Sequence, residues 1–313
     1  MELTLRNICK SFGKKEVLKN ISFTVKSGEA MGYLGRNGAG KTTTIRILAD
    51  IFRSDAGEVL LDGTPMARNK FRLGYLPEER GLYPKSKVGE QMMYIGRLRG
   101  MDAASAKKNA MALLEELEAE EYWSRKLETL SKGNQQKIQL AIAVLHDPDI
   151  VILDEPFSGL DPVNASMLKR LIVKQVEMNK LVLFSSHQMP YVEEFCEHIC
   201  IINYGEIVLD GKIRDIKKTY PRNKIAVWPE GDPAAFLRSL TLQGAWPSMV
   251  SEACVKNDAL EILLKDASDK QALLQMLAAA SPGVDRVQVV EPTLEDIFVE
   301  KASPQGAAME GPQ

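Results

Sequence analysis

The run Gly35-Arg36-Asn37-Gly38-Ala39-Gly40-Lys41-Thr42 leaves this chain little choice in what it can become. Glycine, four residues, then Gly-Lys-Thr is the spacing at which backbone amides cradle phosphate. Gly35, Gly38 and Gly40 have no Cβ, so the backbone can turn through positive φ and lie close to a ligand. Successive N–H groups then face inward as an anion nest, and the helix expected from Lys41 adds its positive dipole end. Asn37, Ala39 and Thr43 complete the cradle. Lys41 is placed to reach the β- and γ-phosphates, and the Thr42 hydroxyl to bind Mg²⁺. The flanks agree: residues 29–34 read as a short apolar strand, and residues 42–51 as a helix with Ile45, Leu48 and Ala49 on one side. Strand, glycine loop and helix in that order are what phosphate binding requires; a ligand-free glycine turn requires neither flank.

A second motif supplies acid. Ile150-Val151-Ile152-Leu153 is followed by Asp154-Glu155. Such a strand buries its body and presents Asp154 at its carboxyl end, where ligands sit in open α/β sheets. Asp154 is expected in the Mg²⁺ shell. Glu155 is expected to polarise the attacking water as general base. Read alone, the stretch is equally a strand ending in two solvated acids; the phosphate loop upstream decides for the functional reading.

Leu130-Ser131-Lys132-Gly133-Asn134-Gln135-Gln136 opens a helix. Here the chain resembles the ATP-binding-cassette (ABC) ATPases, whose signature is usually Leu-Ser-Gly-Gly-Gln. The resemblance implies that Ser131 and Gly133 cap the γ-phosphate of ATP held by the other subunit, an anion at a helix N-terminus. Lys132 and Asn134 depart from the pattern. Ser158-Gly159-Leu160-Asp161 is similar to the family's D-loop, with Asp161 facing the opposite subunit. His187, after the apolar run 182–186, is similar to the switch histidine near the γ-phosphate. Phe12, 23 residues before Gly35, stands where the family has an aromatic stacked on adenine. The competing readings are a plain helix cap for Ser131, a structural histidine at 187 and a core phenylalanine at 12. Glu78, in Tyr75-Leu76-Pro77-Glu78, stands where the family usually has a glutamine that touches Mg²⁺ and reports to the membrane subunit. A carboxylate suits a hard cation, and Glu79 is the rival assignment.

The order of elements extends this to a fold. Strands alternating with helices up to about residue 212 imply an α/β domain with a largely parallel sheet. The resemblance, which covers about residues 1–215, makes it a P-loop NTPase cassette: a RecA-like core with a helical subdomain at about 81–149. A boundary is expected near 215–223, so that residues 1–220 form the ATPase domain. Beyond it the pattern reads strand 224–228, helix 233–240, strand 247–255, strand 259–264, helix 269–280 and strand 284–290. That is βαββαβ, a small ferredoxin-like α+β domain spanning 221–302. A last helix starts after Pro292 with Thr293 as N-cap, and residues 303–313 are expected to be a disordered tail.

Composition excludes some classes. With 313 residues, 40 Lys and Arg against 42 Asp and Glu, and net charge −2, a dedicated nucleic-acid binder is not expected. Four cysteines without a paired framework point to a reducing compartment. Cys196-Glu197-His198-Ile199-Cys200 hints at zinc, but four ligands are needed and Cys9 and Cys254 are far away in sequence. The absence of a long apolar run and of a signal-like N-terminus means that any membrane role comes through a partner.

The segment from Pro292 to Phe298 resembles the C-terminal extension of bacterial ABC-2-type exporters, and residues 75–83 bring the chain nearest to the sodium-extrusion subgroup. The resemblance implies an ATP- and Mg²⁺-dependent ATPase, cytoplasmic and peripheral on the inner face of the membrane. It would dock on separate permease subunits through the helical insert and the Glu78 loop. Two copies, or one copy and a relative, would sandwich two ATP molecules. A soluble ABC ATPase acting on ribosomes or DNA is the alternative, but such proteins often carry two cassettes or a coiled-coil insert, and heptads are absent between 81 and 149. A non-catalytic ATP-gated regulator is opposed by the intact Lys41, Asp154, Glu155 and His187.

Overall fold

The computed structural model describes residues 1–66, 71–79, 81–242, 246–280 and 283–302. The expected tail at 303–313 lies outside the described residues. The chain separates into two compact units, Met1–Ile213 with the stretch that begins at Ile297, and Arg214–Asp296.

In the first unit the elements run β1 (Glu2–Phe12), β2 (Lys15–Lys26), β3 (Ala30–Gly35), α1 (Lys41–Leu48), β4 (Ala56–Leu61), β5 (Thr64–Pro65) and β6 (Leu73–Leu76). Then come α2 (Val88–Leu98), α3 (Ala103–Glu116), α4 (Lys132–Val144), β7 (Ile150–Asp154), α5 (Pro162–Glu177), β8 (Leu181–Ser186), α6 (Met189–Phe195), β9 (His198–Asn203) and β10 (Glu206–Lys212). One antiparallel sheet has the order β2-β1-β4-β5. In its hairpin Leu3 pairs with Val25 and Leu5 with Phe23, so the strand alternation turns these side chains to one buried face. The other sheet has the order β10-β9-β3-β8-β7-β6 and is parallel from β9 to β6. Its inner strands β3, β7 and β8 are buried along their whole length, as continuous apolar runs must be when both faces are covered. One core joins the two sheets to α1 through Leu5, Phe23, Tyr33, Ile45, Ile152 and Leu183. This places Gly35 and Asp154, the last residues of β3 and β7, at the same carboxyl edge, with β8 between them. Gln91 of α2 takes the Tyr83 N–H at 2.8 Å and donates to the Tyr83 and Ser86 carbonyls, fastening the segment before α2.

The second unit contains α7 (Ile213–Thr219) from Arg214 on, β11 (Lys224–Pro229), α8 (Pro233–Thr241), α9 (Trp246–Met249), β12 (Val250–Lys256), β13 (Ala259–Leu264), α10 (Lys270–Ala278) and β14 (Val284–Val289). The sheet order β12-β13-β11-β14, antiparallel throughout, is the ferredoxin-like arrangement expected. Phe236, Leu240, Leu273 and Leu277 of its helices pack on Ile225, Val227, Leu260 and Ile262.

Two expectations need correction. The strand expected from residue 247 starts at Val250, because Trp246 and Met249 bury together from one helical turn, a spacing of three that a strand would send to opposite faces. The boundary near 215–223, expected as turn, begins inside α7; Lys217 and Lys218 occupy its last turn, where cations suit the negative dipole end. The closing helix α11 (Leu294–Ala302) starts at a reciprocal cap: Asp296 N–H donates to Thr293 Oγ1 at 3.1 Å and Thr293 N–H to Asp296 Oδ2 at 2.9 Å. Among the described residues no helix is long and apolar enough to cross a membrane.

Candidate phosphate-facing site

The loop between β3 and α1 has the close approaches that glycine allows. A Cβ on Gly35 would lie 2.6 Å from the Ile202 carbonyl oxygen. Gly40 has φ of 116°, and its Cβ would lie 2.6 Å from Leu18 Cδ2. Gly40 also sits at the N-cap of α1 without a capping side chain, so first-turn N–H groups are left for a ligand. Behind the loop, Tyr33 Oη and Thr44 Oγ1 meet at 3.1 Å, and Thr44 Oγ1 donates to the Gly40 carbonyl. Complete burial pushes the Tyr33 phenol well up, so it is a neutral strut. Ala39 is buried in the core, so only its backbone can serve the cradle.

In front lies a cavity of about 320 Å³ lined by Arg36, Asn37, Gly38, Gly40, Lys41, Thr42 and Thr43, by Glu78 and Glu155, and by Lys15 and Val17 at the start of β2. Lys41 is 7% exposed. Its Nζ donates to the Gly35 carbonyl at 2.6 Å and lies 3.7 Å from Glu155 Oε1. Glu155, also buried, accepts from the His187 N–H and meets His187 Nδ1 at 2.8 Å through Oε2. His187 is itself half exposed. Lysine, glutamate and histidine thus form one chain of contacts at the lip of the cavity.

Asp154 is fully buried. Ser185 Oγ donates to its Oδ1 at 2.6 Å, while Oδ2 is buried with no hydrogen-bond partner of good geometry. Burial pushes its carboxyl up; the Ser185 hydrogen bond and the nearby Thr42 hydroxyl pull the other way, as does Lys41, while the Glu155 charge adds to the rise. Glu78 is pushed up by desolvation first and then by the charges of Asp154 and Glu155. The Asp154 carboxylate with its leftover buried oxygen, beside the Thr42 hydroxyl and with Glu78 on the cavity wall, offers oxygen donors of the kind that suit a hard divalent cation. Glu78 rather than Glu79 is the one that lines the cavity.

The remaining expected residues lie elsewhere. Phe12, at the end of β1, is 46% exposed, packs edge-on to Phe52 at 5.6 Å and carries the Lys10 ammonium over its ring. It stands opposite Lys15 across the hairpin rather than on the cavity wall. Ser131 is an exposed N-cap of α4, accepting from the Asn134 N–H at 3.3 Å. The Asn134 side chain is held by Tyr122 Oη at 2.7 Å. Asp161 caps α5 in the same way, from the Asn164 N–H at 2.9 Å, and those backbone and side-chain hydrogen bonds hold its carboxyl below the usual range. A Cβ on Gly133 would come within 3.0 Å of Asn164 Nδ2, so Ser131, Gly133 and Asp161 belong to one patch. Gln136 of α4 also donates to the Pro156 carbonyl, tying that helix to the segment behind Glu155.

Sequence reasoning missed Ser185, which touches both Asp154 and Glu155, and the cavity wall at Lys15 and Val17. Two hydroxyl residues interrupting an apolar strand just before His187 were the available signal for the first. Cys196 and Cys200 are buried thiols pushed well up by desolvation, His198 turns to Asp210 at 2.8 Å, and among the described residues no three His, Cys, Asp or Glu side chains gather as a metal cluster.

Residues 18–158 match the family described as ABC transporter, and residues 211–302 match the C-terminal domain of DrrA1-3-like ATP-binding proteins. An uncharacterized ABC transporter ATP-binding protein, YhaQ of Bacillus subtilis strain 168, is 38% identical over 300 residues, 96% of this chain and 98% of its own. The linearmycin resistance ATP-binding protein LnrL of the same strain is 33% identical over 308 residues, 95% of this chain and 97% of its own. A solved structure described as the ATP binding subunit of an ABC transporter superposes with a TM-score of 0.65 at 28% identity, covering 70% of this chain and 93% of that one.

Proposed function

This chain belongs to the ABC transporter ATP-binding proteins, and we propose that it energises export through separate membrane permease subunits by binding ATP between two copies and hydrolysing it. The contact chain from Lys41 through Glu155 to His187, at the mouth of an uncapped helix N-terminus, is the observation that carries this reading.

The triphosphate lies along the loop amides, and Lys41 exchanges the Gly35 carbonyl for phosphate oxygens. Thr42 and Asp154 would hold Mg²⁺, with Glu78 as a further oxygen donor, and the chemistry so supplied would be charge neutralisation at the phosphates. Glu155 takes a proton from the attacking water as oxygen bonds to the γ-phosphorus and the bond to the β,γ-bridging oxygen breaks, giving ADP and phosphate. His187 holds Glu155 Oε2 in place. Phe12 supports the adenine beside the Lys15 wall.

Ser131 and Asp161 stand exposed outside the cavity, with Gly133 buried beside them, which supports the use of this patch on ATP held by a second chain, whether identical or related. Export as the direction is supported by the likeness to a linearmycin resistance ATP-binding protein. The place of work is then the cytoplasmic face of the membrane, with the helices between residues 81 and 149 and the Glu78 segment toward the permease.

Glu155→Gln tests the assignment. Phosphate release should fall by about 10²–10⁴-fold while ATP is still retained in equilibrium dialysis. Full turnover by this variant contradicts the reading.

A further inference from the structure

On the strand beside β7, one hydroxyl touches both the Asp154 carboxylate and the Glu155 backbone N–H. Ser185 of β8 pairs in register with Asp154 of β7 and is fully buried. Its Oγ donates to Asp154 Oδ1 at 2.6 Å and accepts the Glu155 N–H at 3.0 Å. We propose that Ser185 is a positioning residue for hydrolysis: it aims Asp154 at the metal and fixes the backbone from which Glu155 reaches the attacking water. The proposal rests on the functional reading above.

A serine hydroxyl has one proton. Committed to Asp154 Oδ1, that proton fixes the carboxylate's rotation and leaves Oδ2, which accepts no hydrogen bond of good geometry among the described residues, as the oxygen available to a cation near the Thr42 hydroxyl. Losing a group that orients a metal ligand from behind typically costs about 10–100-fold in metal affinity or activity. The accepting side of the same oxygen acts on Glu155. That residue has φ of 51°, a left-handed conformation that non-glycine residues adopt only when the surroundings impose it. There the chain leaves the line of β7, and the Glu155 side chain turns to Lys41 and His187. The Ser185 bond satisfies the N–H that this turn would otherwise leave buried and unpaired. His187, two residues beyond Ser185, holds the other end of Glu155 at Oε2. The end of β8 therefore grips Glu155 at both backbone and carboxylate.

The experiment compares the full chain with Ser185→Ala and Ser185→Thr, the latter able to restore the hydroxyl. Three quantities are read: phosphate release against Mg²⁺ concentration, Mn²⁺ binding by electron paramagnetic resonance with a non-hydrolysable ATP analogue, and analogue binding with metal chelated. Ser185→Ala should lower the turnover rate and raise the half-saturating metal concentration, each by roughly 10–100-fold, with metal-free analogue binding unchanged. Ser185→Thr should recover most of both losses. Should Ser185→Ala not fold, Ser185→Cys, which keeps the shape but donates weakly, carries the same expectation. Unchanged metal dependence and turnover, or an equal loss of metal-free binding, overturns the proposal. A wild-type chain that releases no phosphate contradicts the functional reading instead, while an active wild type with an equally active Ser185→Ala contradicts the Ser185 assignment alone.

Discussion

At the phosphate loop Lys41, Asp154 and Glu155 are almost wholly withdrawn from solvent, whereas Ser131 and Asp161 stand exposed at the starts of two helices. The carboxylates of the two regions are displaced in opposite directions. Asp154 is pushed up, chiefly by burial; Asp161 is held down, chiefly by the Asn164 N–H it accepts. A carboxylate that is costly to ionise and keeps an unpaired oxygen is incomplete until something positive arrives. A carboxylate satisfied by its own helix is complete as it stands. On the proposed reading, the first region is the one that takes up the ligand and the second is a surface offered outward. Both descriptions are needed if ATP is to be enclosed by two chains.

The comparison breaks most easily at Lys41. Lys41→Ala removes the buried cation beside Glu155, and nucleotide affinity should fall by roughly 10²-fold or more. Equilibrium dialysis that finds ATP retained would show that the loop does not depend on the lysine. Gly40→Ala acts on the same region through sterics. Positive φ and a Cβ 2.6 Å from Leu18 Cδ2 should cost about 1–3 kcal/mol of stability and weaken ATP binding, readable together in melts with and without nucleotide.

Asp154→Asn sharpens the electrostatic side. Its folded pKa is raised, so in the cation-free chain its contribution is most favourable below about pH 4 and is lost as pH rises through the folded value. The neutral variant should melt higher at pH 8 while losing Mg²⁺-dependent turnover; an unchanged or lower melting point speaks against the burial argument. Asp161 has the reverse sign: its depressed pKa gives stability present above about pH 4 and lost as pH falls through the folded value. Its effect is the smallest, because the group is exposed. Melts of Asp161→Asn and wild type should differ above pH 4 and converge below it.

How much of this could be read from the chain depends on how local each cause is. The phosphate loop, the Asp154-Glu155 strand end and the βαββαβ order declare themselves in consecutive residues. Ser185 does not, because its role arises only when β8 is laid in register beside β7, a pairing between residues 31 apart. The turn at Trp246 was hidden for a similar reason: Trp246 and Met249 serve one core, and four consecutive positions cannot announce a helix by periodicity. Lys15 and Val17 read as ordinary strand residues until the hairpin folds against the loop. The Lys41 contact with the Gly35 carbonyl is likewise a tertiary fact, although both residues belong to the motif.

The central claim, that a second chain completes the site, is tested most directly by the mass of the Glu155→Gln protein in light scattering with and without ATP and Mg²⁺. The account predicts a monomer without nucleotide, twice that mass with it, and a monomer again when Ser131→Ala is added although ATP is still bound. A Glu155→Gln chain that binds ATP and stays monomeric, or a nucleotide-dependent pair indifferent to Ser131, would contradict it.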